Sequence, residues 1–430
     1  MNRPLRIVAA IRQFAPAVGG AQNLLIDVLA AVRQQGHDTS VVTFDAGNVP
    51  DLRGHGAGLP AREHRDGVTV YRVAPDGGVG GRVVTQIARH PFGGQLLKRT
   101  TGFDVPYWGD RPSILGMSMT LARIPADLFL SIGWFSKHAP VMDGIARARG
   151  IPVIGVPCFH LAQRSAYWPR HRWLARSCAA VVTLSAPEAD HARVLGARSV
   201  LTIPPTLPAG YAAAANAMNW RTARGIPASA PIVAFVGRQV ARKGCPHLVR
   251  AMRHVWTTHP EARLLLARRI RNRDEVTARM VHGLTPDERA RVIEEHDFTD
   301  TDTASIMSAA SMLVMPSTDE AFGIVYLEAW ACGRPVIAAD IPSTRWLAGD
   351  SGSALLVAPD DDEALASAIR RLLDSPRYAD TLGARGRDMV TSRFPRAAFA
   401  EQWAALIGRL HGDGAGSGGP QVAVPSSLPR

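Results

Sequence analysis

Pro316-Ser317-Thr318-Asp319-Glu320-Ala321-Phe322-Gly323-Ile324-Val325-Tyr326-Leu327-Glu328-Ala329-Trp330-Ala331-Cys332-Gly333-Arg334-Pro335-Val336 is the stretch on which the fold turns. An apolar run ending at Met315 reads as a strand. A loop carrying Glu320 follows it. A helix starts near Phe322 and stops at Gly333, and Pro335 opens the next strand. Strand, loop, helix, strand within so few residues is the unit of a parallel α/β sheet. The free N–H groups of a helix's first turn, with the helix dipole behind them, favour an anion above them. Gly323 lets a phosphate or a sugar come close to the backbone. Glu328 lies one turn beyond Ile324 on the same face. A carboxylate only accepts hydrogen bonds, so Glu328 suits both hydroxyls of a ribose diol. Glu320 is placed to grip hydroxyls of an attached sugar.

Upstream, Phe235-Val236-Gly237-Arg238-Gln239-Val240-Ala241-Arg242-Lys243-Gly244 reads as a strand end, a glycine turn and two cations five apart, before a helix from about Pro246. Arg238 and Lys243 suit neutralisation of a departing diphosphate, where negative charge develops. Working outward, further apolar strands fall at Ile232–Val236, Arg263–Ala267, Met312–Met315, Pro335–Ala339 and Ala354–Val357. Amphipathic helices fall at 362–373 and 396–410.

The N-terminal half repeats the scheme. Leu5–Ala10 is a short strand, Gly19 and Gly20 sit in the loop after it, and Leu24, Leu25, Val28, Leu29 and Val32 recur at helical spacing up to a C-cap at Gly36. Thr39–Phe44, Val68–Val73, Leu128–Ile132, Val153–Val156 and Val181–Leu184 follow as strands. Residues 76–120 are Gly-rich and read as loops and short helices. The fold expected is α/β: two tandem doubly wound parallel-sheet (Rossmann-like) domains with a cleft between them. The divisions are 1–205, a linker at 206–225, a second domain at 226–395, a helix at 396–411 returning to the first domain, and a disordered tail at 412–430 rich in Gly, Ser and Pro.

The two elements around 237–244 and 316–336, in this order, resemble the retaining GT-B-fold glycosyltransferases of family four. Glu320 and Glu328 match that family's Glu-x7-Glu signature. Gly237-Arg238 and Lys243-Gly244 match its Gly-Arg-x4-Lys-Gly motif, and Gly19-Gly20 its N-terminal glycine loop. The resemblance implies sugar transfer from a nucleotide-diphosphate donor, with retention of configuration and neither a cofactor nor a required metal. It implies donor binding by Gly19, Gly20, Arg238, Lys243, Glu320, Phe322, Gly323, Ile324 and Glu328, with Glu328 on the ribose. It implies a catalytic set of Glu320, Arg238, Lys243 and His160, the last following Pro157-Cys158-Phe159 where the family often has an active-site histidine. Ser185 reads as a turn residue. Departures stand at Ala267-Arg268-Arg269-Ile270-Arg271 and Ile341-Pro342-Ser343-Thr344-Arg345, where the family has glycine loops. Competing readings are a nucleotide-sugar epimerase or hydrolase of the same fold, and a nucleotide-binding homologue without turnover.

Totals narrow the partners. The 430 residues are 46% apolar and 20% charged, a globular composition, and carry a net charge of +12. That charge favours anionic partners. Arg164, Tyr167, Trp168, Arg170, His171, Arg172, Trp173 and Arg176 cluster where acidic residues are missing, so an anionic membrane surface is a candidate partner and no nucleic acid is expected. Four cysteines without Cys-x-x-Cys spacing predict reduced thiols and a cytoplasmic location, peripheral on the inner face of the plasma membrane if the basic face docks there. The N-terminal apolar run, broken by Arg12 and Gln13, reads as a buried strand rather than a secretory signal.

Overall fold

The structure is a computed structural model that describes residues 3–17, 19–47, 51–52, 56–75, 114–269 and 274–412. Most of the 76–120 expectation, and the tail beyond Gly412, lie outside the described residues.

The first domain runs β1 (Arg6–Ala10), α1 (Gly20–Gln34), β2 (Asp38–Phe44), β3 (Arg62–Arg65), β4 (Val68–Val73), α2 (Leu115–Arg123), β5 (Leu128–Ile132), α3 (His138–Arg149), β6 (Val153–Val156), α4 (Pro169–Ser177), β7 (Ala180–Thr183), α5 (Ala186–Val194) and β8 (Val200–Thr202). The chain then crosses through α6 (Ala217–Thr222) to β9 (Ile232–Val236), α7 (Cys245–Trp256), β10 (Arg263–Arg268), α8 (Glu275–His282), α9 (Pro286–Arg289), β11 (Val292–His296), α10 (Asp300–Ala309), β12 (Met312–Met315), α11 (Ile324–Ala331), β13 (Val336–Ala339), α12 (Pro342–Ala348), β14 (Ala354–Val357), α13 (Asp362–Asp374), α14 (Pro376–Arg393) and α15 (Arg396–Gly412).

Two sheets result. The first has the order β3-β4-β2-β1-β5-β6-β7-β8 and the second β11-β10-β9-β12-β13-β14. Every pairing is parallel except β3 on β4, a charged edge hairpin. Central strands such as β5, β6, β9 and β12 are buried along their whole length, because helices cover both faces. That burial is why they read as unbroken apolar runs.

In each sheet the order reverses at one place, beside β1 and β5 in the first and beside β9 and β12 in the second. Loops leaving adjacent strands at such a switch point diverge and leave a crevice at the strand C-termini. The two loops singled out from the sequence, 237–244 and 316–323, leave β9 and β12. They are neighbours for that reason.

The domains are tied behind the cleft. Thr206 Oγ1 donates to Phe394 O at 2.8 Å, and Arg396 of α15 pairs with Asp27 of α1 at 3.0 Å. The crossover between α14 and α15 is anchored on aromatic packing: Phe394 stands 5.9 Å from Phe322 and 6.3 Å from Trp346.

Candidate active site at the inter-domain cleft

The helix of the opening stretch starts at Ile324, two residues later than the sequence suggested. Gly323 caps it with φ 92°, a left-handed conformation that L side chains avoid. A Cβ at Gly323 would lie 2.4 Å from the Tyr326 ring. Tyr326 is buried and its hydroxyl donates to Met315 O at 3.1 Å, which ties the helix back to the end of β12. Phe322 turns its side chain into the core, so only its backbone is available to a ligand.

The loop after β9 is stitched to the loop after β12. Thr318 N donates to Arg242 O at 3.1 Å, and Ser317 Oγ donates to Lys243 O at 3.3 Å. Gly244 packs directly under Pro316. This brings Lys243 Nζ to 2.5 Å from Glu320 Oε2, with both side chains about nine-tenths buried. Arg238 is exposed as a residue, yet protein mass around its guanidinium, and then the Arg242 charge beside it, push its pKa below the ordinary value while Glu320 opposes the shift. It stays cationic at neutral pH. Glu328 is half-buried on α11. Arg238, Lys243, Glu320, Gly323, Ile324 and Glu328 thus belong to one corner of the second sheet.

The first domain supplies the facing wall. His160 lies in the loop after β6, its ring 5.6 Å from Phe135. Its Nδ1 lies 3.0 Å from Asp319 Oδ2, across the cleft. Gln163 Nε2 donates to the same oxygen at 2.5 Å, and Arg242 Nη1 lies 3.8 Å from it. Burial pushes the Asp319 carboxyl up, but the His160 hydrogen bond and charge, followed by Gln163 and Arg242, hold it below the usual range. Gly19 and Gly20 stand at the start of α1, where a Cβ on Gly20 would meet nothing within 4 Å.

Sequence reasoning missed Asp319, Gln163, Arg242 and Glu188. Glu188 had a signal, since Ser185-x-x-Glu188 is the spacing of a capping box. The structure uses it differently. Ser185 is the N-cap of α5 with no side-chain cap bond. Glu188 is fully buried and accepts from Leu184 N and from Phe159 N, each at 2.6 Å, so it pins the His160 loop to the loop after β7. That loop includes Cys158 at φ 54°.

Burial pushes Glu188 up to about 7 from an ordinary 4.5, against the backbone donors of Leu184, Phe159 and Cys158. A carboxyl raised in this way binds more protons folded than unfolded. Its contribution to stability is complete below about 4.5 and is lost as pH rises through about 7. The stability advantage of wild type over Glu188→Ala should therefore shrink across that window by up to about 3 kcal/mol. Urea midpoints on either side of the window measure it, and an advantage independent of pH would mean that the group is ionised throughout.

The loops that depart from the family pattern are built into the fold. Arg268 closes β10, with Nη1 2.9 Å from Gln239 Oε1 and 3.1 Å from Glu294 Oε2. Pro342 opens α12, and Thr344 Oγ1 accepts from Ile341 N at 3.1 Å. Residues 270 and 271 of the first departure lie outside the described residues.

Comparison with known proteins agrees with this geometry. Residues 217–389 match the family described as glycosyl transferases group 1. The lipopolysaccharide core biosynthesis glycosyltransferase LpsD of Rhizobium meliloti is 32% identical over 183 residues, 43% of this chain and 51% of that protein. An alpha-maltose-1-phosphate synthase of Mycolicibacterium smegmatis is 34% identical over 187 residues, 41% of this chain and 48% of that protein. The chain thus spans about half the length of the curated relatives it matches. Among solved structures, sucrose-phosphate synthase from Thermosynechococcus elongatus superposes with a TM-score of 0.71 at 22% identity, over 95% of this chain and 99% of that one. Anabaena HepE, solved in complex with UDP and glucose, gives 0.68 at 18% identity, over 94% and 99%. Residues 217–389 are thus similar to the glycosyl transferases group 1 family, and the two domains together have the GT-B fold.

Proposed function

We propose that the protein moves a glycosyl group from a nucleoside diphosphate donor to an acceptor hydroxyl, with retention of anomeric configuration. The observation that carries this reading is the meeting of Arg238, Lys243, Glu320 and the N-terminus of α11 at the switch point of the second sheet, opposite His160. Lys243 and Glu320 pair with each other. A bound diphosphate gives Lys243 a new anionic partner, and Glu320 is then free to accept from a sugar hydroxyl. Arg238, Lys243 and the first-turn N–H groups of α11 stabilise charge on the departing diphosphate. These cations supply the neutralisation that a metal ion would otherwise bring, so the reading requires no metal. No side chain is assigned as a nucleophile. The acceptor oxygen attacks the anomeric carbon from the face the diphosphate leaves, and its proton passes to a phosphate oxygen of the leaving group. Glu328 holds the ribose diol. The acceptor class is a saccharide, a lipid-linked sugar or a small molecule, and the matching pathways are assembly of a polysaccharide, a glycolipid or a secondary metabolite.

The test is thermal unfolding with UDP, GDP, ADP and dTDP, UDP first because HepE was solved with it. A diphosphate at about 100 times its dissociation constant adds about 2.7 kcal/mol of stability. One diphosphate should stabilise wild type, and Glu328→Ala should weaken its binding about tenfold or more, since a charge-assisted contact to the ribose is lost. Stabilisation by none of the four would favour a homologue that has lost donor binding.

We also propose that α4 and the turn before it rest on an anionic membrane face. Tyr167 is 61% and Trp168 40% exposed, and Arg164, Arg172 and Arg176 are exposed around them. Arg170 stacks over Trp168 at 3.9 Å, so cation and aromatic present one surface. None of the four cysteines is in a disulfide and all are buried, as suits a reducing compartment beneath such a membrane. Among the described residues no helix is long and apolar enough to cross a bilayer. Vesicles rich in phosphatidylglycerol should co-sediment the protein where phosphatidylcholine vesicles do not, and Trp168→Ala with Arg172→Ala should reduce it severalfold. Equal sedimentation by both lipids would end this reading.

A further inference from the structure

Asp319 has no part in the family signature, yet it is among the most connected groups in the cleft. It is 5% exposed, and a single oxygen, Oδ2, collects His160 Nδ1 at 3.0 Å, Gln163 Nε2 at 2.5 Å and Arg242 Nη1 at 3.8 Å. His160 and Gln163 belong to the first domain, while Arg242 and Asp319 belong to the second. A carboxylate can only accept from an imidazole. Across the 3.0 Å between them only a protonated Nδ1 can donate to Oδ2, and that bond is what fixes the tautomer. Nε2 is the ring nitrogen left for a ligand, and in the neutral ring it is an acceptor. Asp319, 3.0 Å from Nδ1, and Phe135, 5.6 Å away, flank the ring.

We propose that Asp319 is the positioning residue for His160: it holds the ring as the Nδ1–H tautomer, turns Nε2 to the donor sugar as an acceptor, and does so only when the two domains are closed on each other. The proposal rests on the glycosyl-transfer reading. The catalytic constellation is then completed by closure, because the group that orients His160 travels with the other domain. Gln163 keeps the carboxylate aimed, its amide donating to the same oxygen. An open cleft would leave His160 without its partner.

Two readouts separate this role from a structural one. The first needs no substrate. Ring nitrogen shifts of protein labelled with 15N-histidine, assigned by the signal lost in His160→Gln, report which nitrogen carries the proton. Wild type should show the Nδ1–H tautomer at alkaline pH, where the ring is neutral. Asp319→Asn should keep it, because the amide oxygen still accepts. Asp319→Ala should lose it. The Nε2–H tautomer in wild type, or no change in Asp319→Ala, overturns the proposal. The second readout is release of UDP from UDP-glucose, or from the sugar of whichever diphosphate stabilises the protein. Asp319→Ala should lower kcat about tenfold or more, with donor KM within about threefold, since misorientation acts on the reacting geometry and not on diphosphate affinity. Asp319→Asn should recover most of the loss. A rise in KM at constant kcat would make Asp319 a binding group and overturn the positioning role. If no diphosphate binds, the glycosyl-transfer reading fails while the tautomer result still judges the Asp319–His160 contact by itself.

Discussion

Lys243→Ala should lower turnover by about 10²–10³-fold, the loss typical of removing one donor from the site of developing charge. Donor affinity should fall much less, because Arg238 and the α11 terminus still hold the diphosphate in the ground state. The same change should destabilise the fold. Lys243 and Glu320 form a close pair with little solvent access, so removing the ammonium leaves a nearly buried carboxylate without its main partner. Breaking such a pair costs about 3–5 kcal/mol when burial is complete, and somewhat less here with Arg238 near Glu320. Adding Glu320→Gln to Lys243→Ala removes the stranded charge. The double variant should therefore recover stability in urea while turnover stays low. Recovery of turnover along with stability would mean that Lys243 serves the fold alone.

The second large effect is expected at Gly244. Its φ of 77° lies in the left-handed region, and a Cβ there would sit 2.2 Å from the carbonyl oxygen of Pro316. That neighbour is backbone, so no rotamer change relieves the overlap. Gly210 has a similar φ of 70° but nothing within 4 Å of its Cβ position. Gly210→Ala isolates the conformational cost, about 1–2 kcal/mol. Gly244→Ala adds the overlap and should cost about 4 kcal/mol or more, within the exceptional range for single substitutions. It should also displace the loop that carries Asp319 and Glu320, so diphosphate binding should weaken in whatever protein folds. Urea midpoints of the two variants decide the matter. Equal losses would mean that the stacking of the two loops contributes little.

The strands that were legible in the sequence are apolar runs, and the central ones among them are covered by helices on both faces. Ile232–Val236, Met312–Met315, Val153–Val156, Val68–Val73 and Ala354–Val357 stand where the apolar runs placed them. The strands β3 (Arg62–Arg65) and β11 (Val292–His296) were not, because both are sheet edges rich in charge, whereas the edge strand β14 keeps an apolar run. Arg-Glu-His-Arg and Val-Ile-Glu-Glu-His carry the charges that edge strands tolerate, and charge hides the strand pattern. The helix α14 was missed for a related reason: only four of its residues are buried, so its apolar stripe is thin.

Within the site, the sequence by itself determined the local chemistry. A glycine had to precede α11, since the left-handed turn there excludes a side chain. Glu320 and Glu328 had to flank that helix's first turn, and Arg238 and Lys243 had to leave the end of β9 together. These are properties of short segments, fixed by strand, turn and helix geometry. Only the tertiary structure decided which of these groups meet. Lys243 finds Glu320 across 77 residues because β9 and β12 are neighbours at the switch point. Gln163 finds Asp319 across 156 residues, with His160 beside it, because the two domains close on each other. Such contacts depend on strand order and domain docking, which are set by burial of whole faces, and a hydrogen bond between distant side chains leaves no period in the chain to be read beforehand.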